Sequence, residues 1–484
     1  MALPANPLGV SEIMSQQAPE SLIAFLLAPH APAVHNGTMA NTSGKPSSHG
    51  HHRPIVIALF LGLAAGVAIQ WLIARSGGVK PGAVVALIET CRFVADLFLR
   101  ALKMVIVPLV VASIVSGIAG MKSLEGFARM GLKTWAYYVL GSLTAVCVGL
   151  AAVNLIRPGI SGGAPNPTLR AAMDAALASD HAAEVGDVMG RAGGGAGSLV
   201  DIVRRMIPTN VIDACASGDL LAIIFFSILF AVAMAVLPGG PPRVLRDLFN
   251  ELADVMTLIT TWIMKFTPVA VFCLLVPAVS EVGIGVLGNL VPYVLTVVAA
   301  LAAHTFVVLP LALWFLAGRS PHRHFRDMKD SLLMAFSTAS SSATIPVTMR
   351  CIREESGVSE RVTSFVIPLG ATVNMNGTAL YECVVVVFAA QVLGIDLSLG
   401  QQFIVVLLAL VSSIGVAGIP AASLVAVIII MQNAGFSENM IKASLGLILT
   451  IDRPLDMART AVNVFGDTVG AVVIARSEGE TLAD

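Results

Sequence analysis

The chain has 484 residues, of which 56% are hydrophobic and 12% charged, with a formal net charge of −1. Soluble domains carry about 25% charged residues, so the deficit excludes an ordinary soluble enzyme, a disordered protein and a nucleic-acid binder. With no net field to recruit DNA, RNA or acidic partners, the class that remains is integral membrane.

Residues 1–53 are polar and rich in Pro, Ser and His. The apolar piece Leu22–Leu27 falls far short of the ~20 residues that a span needs, and no arginine-led leader pattern precedes it. A disordered tail is predicted here, with Met39 as an alternative start. Apolar segments follow at 54–75, 83–120, 134–156, 219–238, 250–278 and 288–317. In the first, Gly62 and Gly66 have a small-xxx-small spacing, which more often marks close packing than a dimer face. A Gly/Ala/Asp-rich stretch, 157–200, breaks the pattern and reads as an extramembrane loop.

Basic residues gather in three loops: Lys122, Arg129 and Lys133; Arg243 and Arg246; Arg319, Arg323, Arg326 and Lys329. Alternation puts these loops on one side, cytoplasmic by the positive-inside rule, and the amino terminus with them. The six cysteines have no paired spacing and read as reduced packing residues. Only His304 among the histidines lies inside an apolar span, which argues against a zinc or haem site.

The last third departs from plain spans. Residues 331–352 are Ser-rich and interrupted by Pro346. Residues 358–390 are broken by Asn374-Met375-Asn376-Gly377-Thr378, and 399–432 are split between Gly415 and Pro420. Irregular backbone survives at membrane depth only where protein buries it or it lines a cavity. Broken apolar segments of this kind are expected around a transporter's binding site.

Between Val362 and Ile451 the only charged residues are Glu382, Asp396, Glu438 and Lys442. Asp452, Arg453, Asp456 and Arg459 then crowd into eight positions. On a helix, Asp452, Asp456, Arg459, Asn463 and Asp467 fall within an arc of about 80°. Each charge costs at least ~2.5–3.5 kcal/mol at mid-membrane, so this face must meet partners, ions or a ligand. A structural Asp–Arg network is the bland alternative, but carboxylates outnumber arginines on the face. A zwitterionic acidic substrate suits the set. A guanidinium grips a carboxylate bidentately, and a nearby carboxylate takes an ammonium. Ser340-Ser341-Ser342 supplies hydroxyls and, if a half-helix begins there, backbone N–H groups.

Four stretches carry a resemblance: Ser340–Pro346 (SSSATIP), Asn374–Glu382 (NMNGTALYE), GVAGIPAASLV from Gly415, and Asp452–Asp467 (DRPLDMARTAVNVFGD). They resemble the signatures of the glutamate/aspartate and neutral amino-acid transporters, the dicarboxylate/amino acid:cation symporters, over about residues 54–478. The resemblance implies an all-α polytopic membrane protein with eight transmembrane helices, two re-entrant helical hairpins and inverted repeats. It also implies a homotrimer in membrane lipid, an elevator-type motion and a substrate-coupled anion conductance. Helices 1–2 (54–133) and 4–5 (201–278) would form a scaffold. Helix 3 (134–156) and residues 279–484 would form the transport domain. The latter would hold helix 6, hairpin 1 (about 323–352), helix 7 (about 358–390), hairpin 2 (about 399–432) and helix 8 (about 438–476).

The resemblance further implies that Arg459 binds the substrate's side-chain carboxylate and Asp456 its ammonium. Asn463, Thr460, Thr378 and the tip Ser340, Ser341 and Ser342 would complete the pocket, with Ile419, Pro420, Ala421 and Ala422 as the lid. One sodium would use oxygens at Gly370, Asn374, Asn463 and Asp467. Another would use the backbone carbonyls of Thr372, Ser413, Ile414 and Val416 under the lid, and Met375 also counts among the sodium residues. A further site would retain Tyr138, Ser142 and Asn374, but Asn376 replaces the family's usual acid and Gly141 its usual hydroxyl residue. That site is therefore expected to be weak or absent. Neither Ala339 nor Met457 is the arginine common at one of these positions, and Ser423 stands where a lid glycine is usual.

The expected function is sodium-coupled symport of aspartate or glutamate at the plasma membrane (the inner membrane if bacterial), with a proton as the other possible ion. The rivals are a proton-coupled, dicarboxylate or neutral amino-acid carrier, or a passive anion channel. An intramembrane serine hydrolase lacks a GxSxG motif and a histidine near the Ser run.

Overall fold

The computed structural model describes residues 52–76, 81–119, 124–176, 206–238, 242–280, 284–415 and 423–482, with isolated positions 185, 189 and 204. Residues 1–51 of the expected tail, Lys122, Val416 and the lid Ile419–Ala422 lie outside the described residues, while His52 and Arg53, expected in the tail, open the first helix. Everything described belongs to one compact unit, His51–Asp484.

Long apolar helices come first: α1 (His52–Arg75), α2 (Gly82–Ala119) and α3 (Leu124–Ile156). A two-residue hairpin, β1 (Ile160–Ser161) and β2 (Ala164–Pro165), leads into α4 (Pro167–Ala176). Next are α5 (Val211–Ser217), α6 (Leu220–Val236), α7 (Arg243–Met264) and α8 (Thr267–Ser280). The axes of α7 and α8 meet at 60°. Pro268 explains the bend, because it has no N–H for the Met264 carbonyl and its ring crowds that turn.

A mixed helix follows: α9 (Ile284–Ala303), a π-turn at His304–Val308, α10 (Leu309–Ala312) and a second π-turn at Leu313–Ala317. Pro310 sits between the π-turns, where its missing N–H interrupts the regular ladder. Then come α11 (Pro321–Asp327), α12 (Lys329–Thr338), α13 (Ser341–Glu354), α14 (Glu360–Val373), α15 (Asn376–Leu393), α16 (Leu399–Gly415), α17 (Ser423–Asn433) and α18 (Glu438–Ser477).

Five of these segments are long and apolar enough to cross a bilayer, and a sixth does so if α7 and α8 count as one span. That is fewer than the eight implied by the resemblance. In α1 and α6 the apolar cores run only Ile57–Ile73 and Leu220–Val236. Each reaches roughly 25 Å, slightly less than the ~30 Å hydrocarbon layer.

The Gly62/Gly66 spacing serves internal packing. A Cβ on Gly66 would stand 2.6 Å from the Val279 Cβ, and one on Gly62 3.0 Å from the Leu275 Cβ, so both glycines seat α1 directly against α8. The 157–200 stretch is not simply a loop, since α4 buries Leu169 and Met173 completely in a cluster with α15, α17 and α18. Two large apolar clusters flank the charged segment of α18. One joins α2, α6, α13 and α14 to its carboxyl-terminal half, and the other joins α3, α9, α15 and α17 to its amino-terminal half.

Replacing Gly66 by Val should force α1 off α8 and destabilise the protein by about 1–3 kcal/mol. Thermal melting of purified Gly66→Val beside Gly82→Ala, where a Cβ meets nothing within 4 Å, checks this; equal melting points would refute the packing assignment.

Candidate functional site

The charged face of α18 is buried as a unit. Asp452, Asp456, Thr460, Asn463 and Asp467 are each 2–6% exposed and Arg459 is 0% exposed. The Arg459 guanidinium donates from Nη1 to Asp452 Oδ1 at 3.0 Å and from Nη2 to Asp456 Oδ1 at 2.9 Å. Its Nε also reaches Asp456 Oδ1 at 3.2 Å. The Tyr381 ring lies beneath it, 3.9 Å from centroid to Cζ, and the Tyr381 hydroxyl donates to Asp452 Oδ1 at 2.7 Å. The bland reading is therefore partly realised, because Arg459 is paired internally. Two carboxylates against one guanidinium still leave one negative charge, which an ammonium group complements.

The expected break in helix 7 is present. Asn374 (φ −96°, ψ 74°) and Met375 (φ −100°, ψ 54°) leave the helical region between α14 and α15. Asn463 then caps α15 from across the interface: its Oδ1 accepts from Gly377 N at 2.7 Å and Thr378 N at 3.3 Å. Its Nδ2 donates to Thr378 Oγ1 at 3.0 Å and approaches Met375 Sδ at 3.4 Å. Gly377 is required there, since a Cβ would fall 2.6 Å from the Arg459 carbonyl oxygen. The Thr460 hydroxyl bonds back to the Asp456 carbonyl at 2.8 Å.

The hairpin turns at Ala339, in the left-handed region (φ 49°), directly before the expected tip Ser340–Ser342, and Pro346 lies inside α13 without breaking it. Ser340 is the N-cap of α13, and its Oγ accepts from Ala343 N at 3.2 Å. Ser341 and Ser342 open that helix, where the first backbone N–H groups have no intrahelical acceptor. Ala339 and Met457 share an apolar cluster with Ile55, Val271 and Leu275, which sets the tip beside the turn of α18 that carries Asp456 and Arg459. Ala339 and Met457 therefore meet in an apolar contact.

Of the residues assigned to sodium, Asp467, Asn374 and Gly370 come together. Asn374 Nδ2 donates to Asp467 Oδ1 at 2.8 Å, and a Cβ on Gly370 would strike that same oxygen. The Thr372 and Ser413 hydroxyls turn back onto their own helices, at Leu369 O and Leu410 O, both 3.0 Å. Ile414 lies in the last turn of α16.

The Tyr138–Ser142–Asn376 group is assembled as well. The Tyr138 hydroxyl donates to Val366 O at 2.7 Å, and Ser142 Oγ donates to Asn376 Oδ1 at 2.9 Å. A Cβ at position 141 would sit 3.3 Å from Asn376 Nδ2 and 3.8 Å from Asn374 Oδ1. Those same two atoms, Asn376 Nδ2 and Asn374 Oδ1, are buried without a hydrogen-bond partner. Glu382 is the residue the sequence reading passed over. It is completely buried one turn beyond Thr378; Oε2 accepts from Ser412 Oγ at 2.9 Å and Oε1 has no partner. Its signal was its isolation, one of four charges in ninety residues.

Comparison with known proteins gives a match to the family model described as the sodium:dicarboxylate symporter family over residues 52–477. The chain is 34% identical over 390 residues to a proton/sodium-glutamate symport protein of Geobacillus stearothermophilus, covering 80% of this chain and 87% of that one. It is 34% identical over 383 residues (79% and 84%) to a proton/glutamate-aspartate symporter of Escherichia coli. To the neutral amino acid transporter B(0) of Oryctolagus cuniculus it is 31% identical over 446 residues, 86% and 79% of the two chains.

Asp452→Asn leaves Arg459 balanced by Asp456 but weakens the hydrogen bonds that Arg459 and Tyr381 make to one carboxylate, and should cost about 3 kcal/mol or more, whereas Tyr381→Phe, which removes one of them, should cost only ~1–3 kcal/mol. Denaturation of both variants in the same detergent tests the ranking; an Asp452→Asn protein as stable as wild type would contradict the network.

Proposed function

Because the chain belongs to the sodium:dicarboxylate symporter family, we propose that it is a secondary active symporter coupling uptake of an acidic amino acid, aspartate or glutamate, to sodium. The observation that carries this is the buried Asp452–Arg459–Asp456 set with its surplus negative charge. An incoming side-chain carboxylate takes the place of one aspartate on Arg459, and the aspartate so released takes the substrate ammonium. The exchange leaves the guanidinium and the released aspartate each with an opposite charge, and the excess of carboxylates falls to helix N–H groups and to the co-transported cations. Thr378 and Asn463 at the broken helix, and the N–H groups opening α13, supply the remaining polar contacts. The relatives' names, glutamate and glutamate-aspartate symporters, support this substrate class.

We place the protein in the plasma membrane, or the inner membrane of a bacterium, as a homotrimer. Residues 54–133 and 201–278 form the scaffold, and 134–156 with 279–484 the moving transport domain. An elevator motion and an anion conductance go with that reading. Sodium binds at Asp467 with Asn374 and the backbone near Gly370 and Asn463, and again under the lid. The Tyr138–Ser142–Asn376 group is a weak or absent further site, because a neutral amide with no hydroxyl at Gly141 offers a cation less than a carboxylate would. A proton is the second candidate ion, favoured by the buried, half-partnered Glu382. Two relatives carry "proton" in their names.

Aspartate uptake into proteoliposomes should follow an inward sodium gradient and vanish in Arg459→Cys, with neutral amino acids gaining entry. Uptake independent of sodium but driven by a pH gradient, and lost in Glu382→Gln, would transfer the coupling to protons; unchanged aspartate uptake by Arg459→Cys would remove the pocket assignment. The double variant Asn376→Asp with Gly141→Ser should raise the sodium-to-aspartate flux ratio above wild type. Each added ion contributes ~1.4 kcal/mol per tenfold gradient and about 2.3 kcal/mol per 100 mV. An unchanged ratio in a transporting double variant would show that this cluster is not an ion site.

A further inference from the structure

A cavity of about 400 Å³ lies on the outer side of α3, between α3, the α10 region and the end of α18. Its floor and walls are apolar: Ala136 and Leu140 from α3, Leu309 and Ala312 opposite, and Val473 from α18. Leu140 and Leu316 on its rim are 61% and 59% exposed, so the groove opens sideways from membrane-spanning helices, toward acyl chains and not toward water. Lys133 and Ser477 stand at one end and Thr144 and Val308 at the other. Eleven residues of α3 separate Lys133 from Thr144, a rise of roughly 16 Å, which matches the ~15 Å depth of a single leaflet.

The shallow end is basic. Lys133 Nζ donates to Ser477 O at 2.9 Å and to Glu478 Oε1 at 2.7 Å; Arg129, one turn earlier, reaches Glu478 Oε2 from Nη2 at 3.0 Å. An ammonium has three hydrogens and a guanidinium five, so both cations retain donors beyond these bonds. The hydrogen bond from Arg129, with help from Lys133, holds the Glu478 carboxyl below the usual carboxylate range, so it is ionised at neutral pH. Two cations against one carboxylate leave one positive charge at the membrane surface. The Arg129 side chain is 64% exposed there and Lys133 35%.

We infer that this groove holds one acyl chain of an anionic glycerophospholipid whose phosphate is bound by Lys133 and Arg129. The apolar trough fixes the tail, and the unbalanced charge at its mouth selects the headgroup. An uncharged detergent or a zwitterionic lipid satisfies only the first requirement. The basic pair also ties α3 to the end of α18, so the phosphate reinforces a contact that already exists between these helices.

The full chain, purified in a neutral detergent, is titrated with phosphatidylglycerol or phosphatidylcholine and read by thermal melting and native mass spectrometry. Phosphatidylglycerol should raise the melting temperature more than phosphatidylcholine and persist as a one-to-one adduct. Ala312→Trp fills the middle of the trough, and the folded, monodisperse variant should lose both the adduct and the shift. Lys133→Gln combined with Arg129→Gln should keep a lipid adduct but lose the preference between the two lipids. Equal shifts from the two lipids on the wild-type chain overturn the proposal, as does undiminished phosphatidylglycerol retention by Ala312→Trp. Should Ala312→Trp not fold, Ala136→Phe on the facing wall makes the same test.

Discussion

Everything in the carboxyl-terminal half is arranged around one constraint: a guanidinium with no access to solvent must be compensated wherever α18 goes. Arg459 meets that constraint three times over, through Asp452, Asp456 and the face of Tyr381. Desolvating each ion costs several kcal/mol, and attraction within the pair offsets that cost only when geometry and hydrogen bonding are good. Apolar residues of similar volume would often serve stability as well. A buried triad with a net negative charge therefore fits the binding role proposed for it better than that of a brace.

The backbone around it follows from the same requirement. Backbone N–H and C=O groups are freed at the centre of the protein only where a helix is interrupted, and the chain leaves helical geometry between α14 and α15 at Asn374 and Met375. Stopping exposes N–H groups, which Asn463 on the unbroken α18 accepts. The 40-residue α18 is thus a continuous post that presents one polar face. The interrupted elements gather their loose ends against it. Gly377 lets the first turn of α15 touch the Arg459 backbone, which no side chain would permit.

The polar face of α18 was legible because helical periodicity turns spacings of three and four into one stripe, and a charge stripe in an apolar chain has few explanations. The break in helix 7 was legible from Asn-Met-Asn-Gly. The start of a helix at the Ser340–Ser342 tip was legible too; the left-handed turn just before it was not, because Pro346, which looked like an interruption, lies inside α13, and Ala339 is of a residue type that seldom enters that region and pays roughly 1–2 kcal/mol for it. Tertiary packing imposes that conformation, and no local signal announces it. Glu382 was visible only as an isolated acid, since its partner Ser412 is 30 positions away on another helix. The burial of Leu169 and Met173 had a local signal, apolar residues at 169, 172 and 173 on one helical face, which the Gly/Ala/Asp-rich composition of the surrounding stretch outweighed.

Gly141 and Asn376 are 235 positions apart, and the fold puts them in contact. The point where a side chain at 141 would begin is 3.3 Å from Asn376 Nδ2. Adding a hydroxyl there without an acid at 376 would crowd an amide already held through its oxygen by Ser142. Adding the acid without the hydroxyl would bury a carboxylate beside Asp467 and Asn374 with one oxygen donor fewer to share a cation, so the two residues change sensibly only together. Gly141 also lines the membrane-facing groove. One glycine therefore forms the wall between lipid and the buried asparagines, and its bare backbone is the thinnest barrier the chain can place there. A cluster so close to hydrocarbon gains from being neutral: two amides can be left there at the cost of unmade hydrogen bonds, whereas an unpaired carboxylate could not.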